Sequence, residues 1–209
     1  MKSKNGWDKI YSEKGNFFEE PHEYLGKLLK IFRKRNVKKV LDLGCGSGRH
    51  LKFLAENGFE VWGMDNAEQG LRQAREILKE NNLNAKLINS SCYKKFPYKD
   101  NFFDAVISIQ VIHHGKLKEI QKCISEIERV IKKAGTIFIT VTKNKYHKDN
   151  KSEMKLIEPK TYVILSGFEK GVPHHLFSRK TLKKYFKNFK IKKIWVDKMA
   201  HYCLLGFKK

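Results

Sequence analysis

The sequence predicts an α/β fold, a doubly wound and mostly parallel sheet covered by helices on both faces. Three observations carry the prediction. Short apolar runs alternate with stretches of helical period through residues 22–142, as strands buried on both sides and joined by helices require. The first run, Val37 to Leu43, enters a turn with glycine at 44, 46 and 48, then continues as the helical pattern Arg49-His50-Leu51-Lys52-Phe53-Leu54. The second run, Phe59 to Met64, ends at Asp65, 21 residues past Gly44.

The elements follow in order. Residues 1–20 are polar with isolated aromatics, Trp7, Tyr11, Phe17 and Phe18, and residues 1–35 read together as an N-terminal cap. Within it, 22–35 is a helix that puts Leu25, Leu28, Leu29 and Phe32 on one face. Strand 37–43, helix 47–57, strand 59–64 and helix 67–81 come next, then strand 84–90 built on Ala85, Leu87 and Ile88. Strand 103–109, helix 116–132 and strand 135–142 complete the regular alternation. A polar, lysine-rich stretch at 143–160 precedes the apolar Thr161-Tyr162-Val163-Ile164-Leu165. Helix 178–187, with Ser178 as its N-cap, and strands 189–198 and 201–208 close the chain. The connection 143–177 is longer than a routine loop and is predicted to be a substrate lid. With no internal repeat, residues 1–209 are expected to form a single domain.

Composition narrows the setting. No apolar run reaches the roughly eighteen residues of a membrane span, and Met1 to Trp7 lacks the apolar core of a signal peptide. Cys45, Cys92, Cys123 and Cys203 are scattered, with no C-x-x-C pair. That fits reduced thiols in a cytoplasm and argues against a disulfide framework. The net charge of +22 attracts nucleic acid or other polyanions. Yet the excess is mostly lysine spread along the chain, without a focused arginine patch, and a compositional bias of the source gives the same picture.

Glycines let the turn adopt positive φ and let a ligand approach the backbone, while the helix behind presents unpaired N–H groups. Right-handed crossovers put that ligand at the carboxyl ends of the first two strands. An acid at the position of Asp65 suits the two hydroxyls of a ribose. The glycine spacing separates two kinds of nucleotide site. A dinucleotide fingerprint reads G-x-G-x-x-G, whereas Asp42 to Gly48 reads D-x-G-x-G-x-G.

That form resembles the class I methyltransferases, which bind S-adenosylmethionine (SAM). Phe96-Pro97-Tyr98 with Phe102-Phe103-Asp104 is similar to the family's "LPF…FD" entry to strand four, and Glu128 to Thr136 to its turn before strand five. The resemblance covers about residues 37–142. It implies a Rossmann-like, seven-stranded sheet with an antiparallel last strand, and SAM as cofactor. It implies that Asp42 lies near the methionine moiety, that Gly44, Cys45 and Gly46 pass the cofactor, and that Asp65 with Asn66 holds the ribose. The family's acid on the third strand is missing, so Ser91 or Cys92 in Asn89-Ser90-Ser91-Cys92-Tyr93 takes its place. Gln110 at the end of strand four joins the set, and Tyr11, with Trp7, closes over the cofactor. Arg49 and His50 read as solvated helix residues.

Two histidine pairs are expected to act on the substrate. His113-His114 ends strand four beside the transferring methyl by the family's geometry, and His174-His175 ends the predicted lid. Imidazole titrates near neutral pH and so suits a proton acceptor. A metal is not expected, because adjacent residues of a strand point to opposite faces and neither pair has an acid or cysteine at ligand spacing. The segment Ala105 to His114 is also similar to the tRNA wobble-uridine carboxymethyl methyltransferases. Those carry a histidine-rich "HVF" segment comparable to His174-His175-Leu176-Phe177, but an arginine-rich helix where this chain has Lys116-Leu117-Lys118-Glu119-Ile120. Three readings follow: a methyltransferase with a small-molecule acceptor, a tRNA methyltransferase, or a SAM- or RNA-binding protein without activity.

Overall fold

The computed structural model describes residues 6–14, 20–143, 154–167 and 169–209. Helix α1 (Gly6–Lys14) and helix α2 (Leu25–Lys34) precede the first strand, β1 (Lys39–Leu43). Then come α3 (Arg49–Glu56), β2 (Glu60–Asp65), α4 (Glu68–Glu80), β3 (Ala85–Asn89), β4 (Phe103–Ile109), α5 (Leu117–Val130) and β5 (Ile131–Val141). The chain ends with β6 (Met154–Glu158), β7 (Thr161–Ile164), β8 (Pro173–His175), α6 (Arg179–Tyr185), β9 (Phe189–Val196) and β10 (Tyr202–Lys208).

Seven strands form one sheet in the order β3-β2-β1-β4-β5-β10-β9. The pairs among β1 to β5 are parallel, and β10 lies antiparallel between β5 and β9. The expected Rossmann-like sheet with its antiparallel last strand is therefore present. Alternation along β1 builds both faces of the core. Leu41 and Leu43 join Ile120, Ile124 and Ile127 of α5 and Phe186 on one side. Val40 joins Leu28 of α2, Leu51 of α3 and Leu71 of α4 on the other. Asp42, between two leucines, is thereby forced onto the second face and is buried.

Most element ends shift by one to three residues, and two differences from the sequence expectation are larger. Strand five begins at Ile131, not 135, because Ile131 pairs with Phe103 before a bulge in which Ala134 takes φ +59°. The connection 143–177 contains a three-stranded antiparallel sheet, β6-β7-β8, of which the sequence showed only the β7 run. Residues 144–153 of the predicted lid, and Phe17 and Phe18 of the predicted cap, lie outside the described residues. The far end of the connection is sewn to the main sheet, with Phe177 donating its N–H to the Thr142 carbonyl at 3.1 Å. Among the described residues, no helix is long and apolar enough to cross a membrane.

Candidate active site

The glycine turn ties the tips of β1 and β2 together. The Gly44 N–H donates to the Met64 carbonyl at 2.7 Å. Asp65 accepts from the Gly46 N–H through Oδ2 and from the Ala67 N–H through Oδ1, each at 2.8 Å. Gly46 has φ +50°, and a Cβ on it would overlap the Tyr11 hydroxyl. Side-chain absence at this position is what lets α1 lie over the turn. The cap begun by Tyr11 continues through Trp7, whose ring is 6.5 Å from Tyr11 and 4.9 Å from His114.

Beneath the turn, the Asp42 carboxylate is 1% exposed and neither oxygen has a hydrogen-bond partner among the described residues. Burial pushes its pKa up to about 7; Arg49 opposes the shift and Asp65 adds to it. His50 Nδ1 approaches Asp42 at 3.9 Å, and burial holds that imidazole well below its ordinary pKa, hence neutral. An unsatisfied buried carboxylate under a glycine turn fits a cationic group of a ligand. The Asp65 carboxyl, held by backbone N–H groups at the strand tip, fits a ribose beside it.

Residues 40–135 match the methyltransferase domain family. These residues form a class I SAM-dependent methyltransferase domain. The chain is similar to a ubiquinone biosynthesis O-methyltransferase of Rickettsia akari, 30% identical over 56% of this chain and 46% of the relative. It is also similar to a probable tRNA methyltransferase 9B of Mus musculus, 35% identical over 49% of this chain and 21% of the relative. The chain thus matches less than half the length of either. A crystallised SAM-dependent methyltransferase of Methanosarcina mazei shares the fold, with a TM-score of 0.75 and 20% identity over 90% of this chain and 98% of that one.

In the methyltransferase domain, β4 stops at Ile109 and the chain turns through Gln110, whose φ of +61° is rare for a side-chain-bearing residue. Thr140 holds that geometry: its Oγ1 accepts from both the backbone N–H and Nε2 of Gln110, each at 2.9 Å. The Gln110 carbonyl in turn accepts from His114 Nε2 at 3.1 Å. His113 and His114 therefore stand in a turn, not on the strand expected, and their rings are 3.9 Å apart. The strand-based argument that the two must diverge does not apply. Strand β8 adds His174, 4.6 Å from His114 and 5.6 Å from His113 between ring centres. The His175 N–H fixes this meeting by donating to the His113 carbonyl at 2.7 Å. Burial lowers the His114 pKa to about 4 against the opposing effect of the Gln110 and Pro173 carbonyls.

The structure separates the remaining expected site residues by role. His175 alternates away from His174 along β8, its Nδ1 2.8 Å from Thr161 Oγ1, so it does not join the other three histidines. The Cys45 side chain is buried against Gly63, which leaves its backbone to line the turn. Asn66 is exposed beside Asp65. The Ser91 hydroxyl accepts from the Tyr93 N–H at 3.2 Å within its own turn, and Cys92 packs against the core. Arg49 and His50, expected to be solvated helix residues, instead stand beside Asp42. Their position at the start of the helix after the turn was the available signal; that Arg49 is half-buried and His50 only 4% exposed is not visible in sequence. An open hollow of about 350 Å³ between Tyr24, Lys27, Lys193 and Trp195 shares no residue with this site.

Proposed function

We propose that this chain is an enzyme that transfers the methyl group of SAM to a small-molecule acceptor held against His113, His114 and His174. The observation that carries the reading is the continuous path of rings from Gly46 through Tyr11 and Trp7 to His114 and His174. It joins the turn that suits the cofactor to a group of imidazoles that suits an acceptor. SAM supplies the electrophilic methyl when bound. Asp42 is suited to its ammonium, Asp65 to its ribose hydroxyls, and the backbone of Gly44 to Gly46 to close approach. Tyr11 and Trp7 exclude water, and the imidazoles orient the acceptor or take its proton.

Calorimetry tests the cofactor half. SAM and S-adenosylhomocysteine should bind and NAD should not. Asp65→Ala should weaken SAM by about 1.5–3 kcal/mol, the worth of a charged hydrogen-bond acceptor. NAD binding without SAM binding would overturn the reading. A second reading makes tRNA the acceptor. Its support is the net charge of +22 and the similarity to the mouse protein named a probable tRNA methyltransferase. Labelled-methyl transfer to bulk tRNA, compared with a small-molecule panel, separates the two.

A further inference from the structure

We propose that His113, His114 and His174 form a binding site for one divalent transition-metal ion of the zinc or cobalt class. One ligand nitrogen from each can be chosen so that all three lie within 4.8 Å of one another. A tetrahedral ion with metal–nitrogen bonds of about 2.0–2.1 Å needs them about 3.3 Å apart. Binding would draw the ligand atoms together by up to about 1.5 Å. His113 and His174 are 1% and 3% exposed, so the group is assembled inside the protein and not scattered over its surface.

Two further observations point to an ion. His114 Nε2 meets the Gln110 carbonyl, which can only accept, so in the neutral ring the lone pair falls on Nδ1. A backbone carbonyl behind a histidine is the usual outer partner of a metal ligand, fixing both tautomer and ring orientation. Glu169 Oε2 stands 3.5 Å from His174 Nε2, and a carboxyl group behind a ligating imidazole is another common outer partner. The loop bearing His113 and His114 is braced by Thr140, and β8 is anchored to it through the His113 carbonyl. The ligand frame therefore exists before any ion arrives.

Three imidazoles leave a fourth position open, the arrangement of catalytic rather than structural zinc sites. The choice of metal follows from neutral nitrogen donors without thiolate, which suit zinc, cobalt or nickel and not calcium or magnesium. In the methyl-transfer reading, on which this part rests, the open position receives an oxygen or nitrogen of the acceptor. The ion then replaces the imidazoles as the group that draws in the acceptor atom. Binding of the metal itself stands independently of that reading.

The test uses the full chain stripped with a chelator and titrated with Co²⁺, then Zn²⁺. A second cluster, His22, Asp197 and Cys203, also has ligand atoms within 4.8 Å and must be distinguished. One equivalent of Co²⁺ should bind with d–d bands and without a thiolate charge-transfer band. Cys203→Ser should leave it unchanged, and His113→Asn or His174→Asn should weaken it by at least about 10–100-fold, the loss that outer partners alone can cause. Zn²⁺ should raise the melting temperature of the wild type and not of His174→Asn. SAM should raise that of both, which shows that the variant is folded. No stoichiometric binding, binding that survives both histidine substitutions, or binding lost with Cys203→Ser would overturn the site. Metal binding without SAM binding would leave the site standing and remove the methyl-transfer reading.

Discussion

At the scale of single residues, Asp42 is a costly group to bury. A carboxylate buried without a partner is tolerated only where function needs it, and here it is half-neutralised by protonation. Its folded pKa of about 7 lies above the ordinary 3.8. Between those values the folded state holds a proton that the unfolded state has released. The stability contribution of Asp42 therefore falls as pH rises from about 4 to 7 and stays lost above. Asp42→Asn should be more stable than wild type at pH 8 by about 1–3 kcal/mol, with the gain vanishing near pH 4, as denaturant melts at the two pH values would show. SAM affinity should move the other way. It should rise with pH through 7 in the wild type, where the anion meets the ligand's ammonium, and stay flat and weak in the variant.

Gln110 shows a second kind of residue-scale cost. Its positive φ re-aims the chain at the end of β4 so that His113 and His114 face β8. Thr140 is the residue that holds this conformation. Thr140→Val is nearly isosteric and removes both hydrogen bonds, so it should cost about 1–3 kcal/mol of stability. It should lower the rate of transfer more than SAM affinity, since the displaced group is the histidine turn. Equal losses in both would show instead that Gln110 serves the cofactor.

At the scale of elements, the helices are held by close backbone approach as much as by apolar stripes. Gly48 caps α3 with φ +90°, and a Cβ there would stand 2.9 Å from the Ala74 Cβ of α4. Gly48→Ala should destabilise by about 1–3 kcal/mol through strain and crowding together, read as a lower denaturant midpoint. Helix α1 reports a different relation. Asp8 accepts from the Gln69 N–H at 3.0 Å, and Tyr11 lies on Gly46 and Gly70. The helix thus closes the site from outside the main sheet. Tyr11→Ala should weaken SAM binding while leaving the melting temperature of the ligand-free protein nearly unchanged.

At the scale of the whole molecule, the charge of +22 comes mostly from lysine spread along the chain. A charge of this size is expected to attract polyanions without sequence preference, in a manner that weakens steeply with salt. If tRNA is the acceptor, methylated tRNA should still form at salt concentrations that abolish binding of unrelated RNA. Loss of both in parallel would assign the charge to solubility and nonspecific attraction. The ends of β1, β4 and β5 and the Asp197 turn before β10 lie at one edge of the sheet, and the proposed chemistry is expected there.

The sequence by itself determined the strand–helix alternation, the glycine turn, and the pairing of that turn with Asp65. These are local matters: period, backbone conformation at glycine, and an acid at a fixed distance along one β-α-β unit. The inward turn of Asp42 also follows from its place between Leu41 and Leu43. Only the tertiary structure decided which histidines meet. His113 and His114 read as a diverging strand pair until the positive φ of Gln110, imposed by a threonine on the neighbouring strand, puts both in a turn. His174 and His175 read as equals until the pairing of β8 with β7 sends one to the cluster and the other to Thr161. Contacts between residues about 60 apart depend on sheet register and on burial, and neither leaves a periodic mark in the chain.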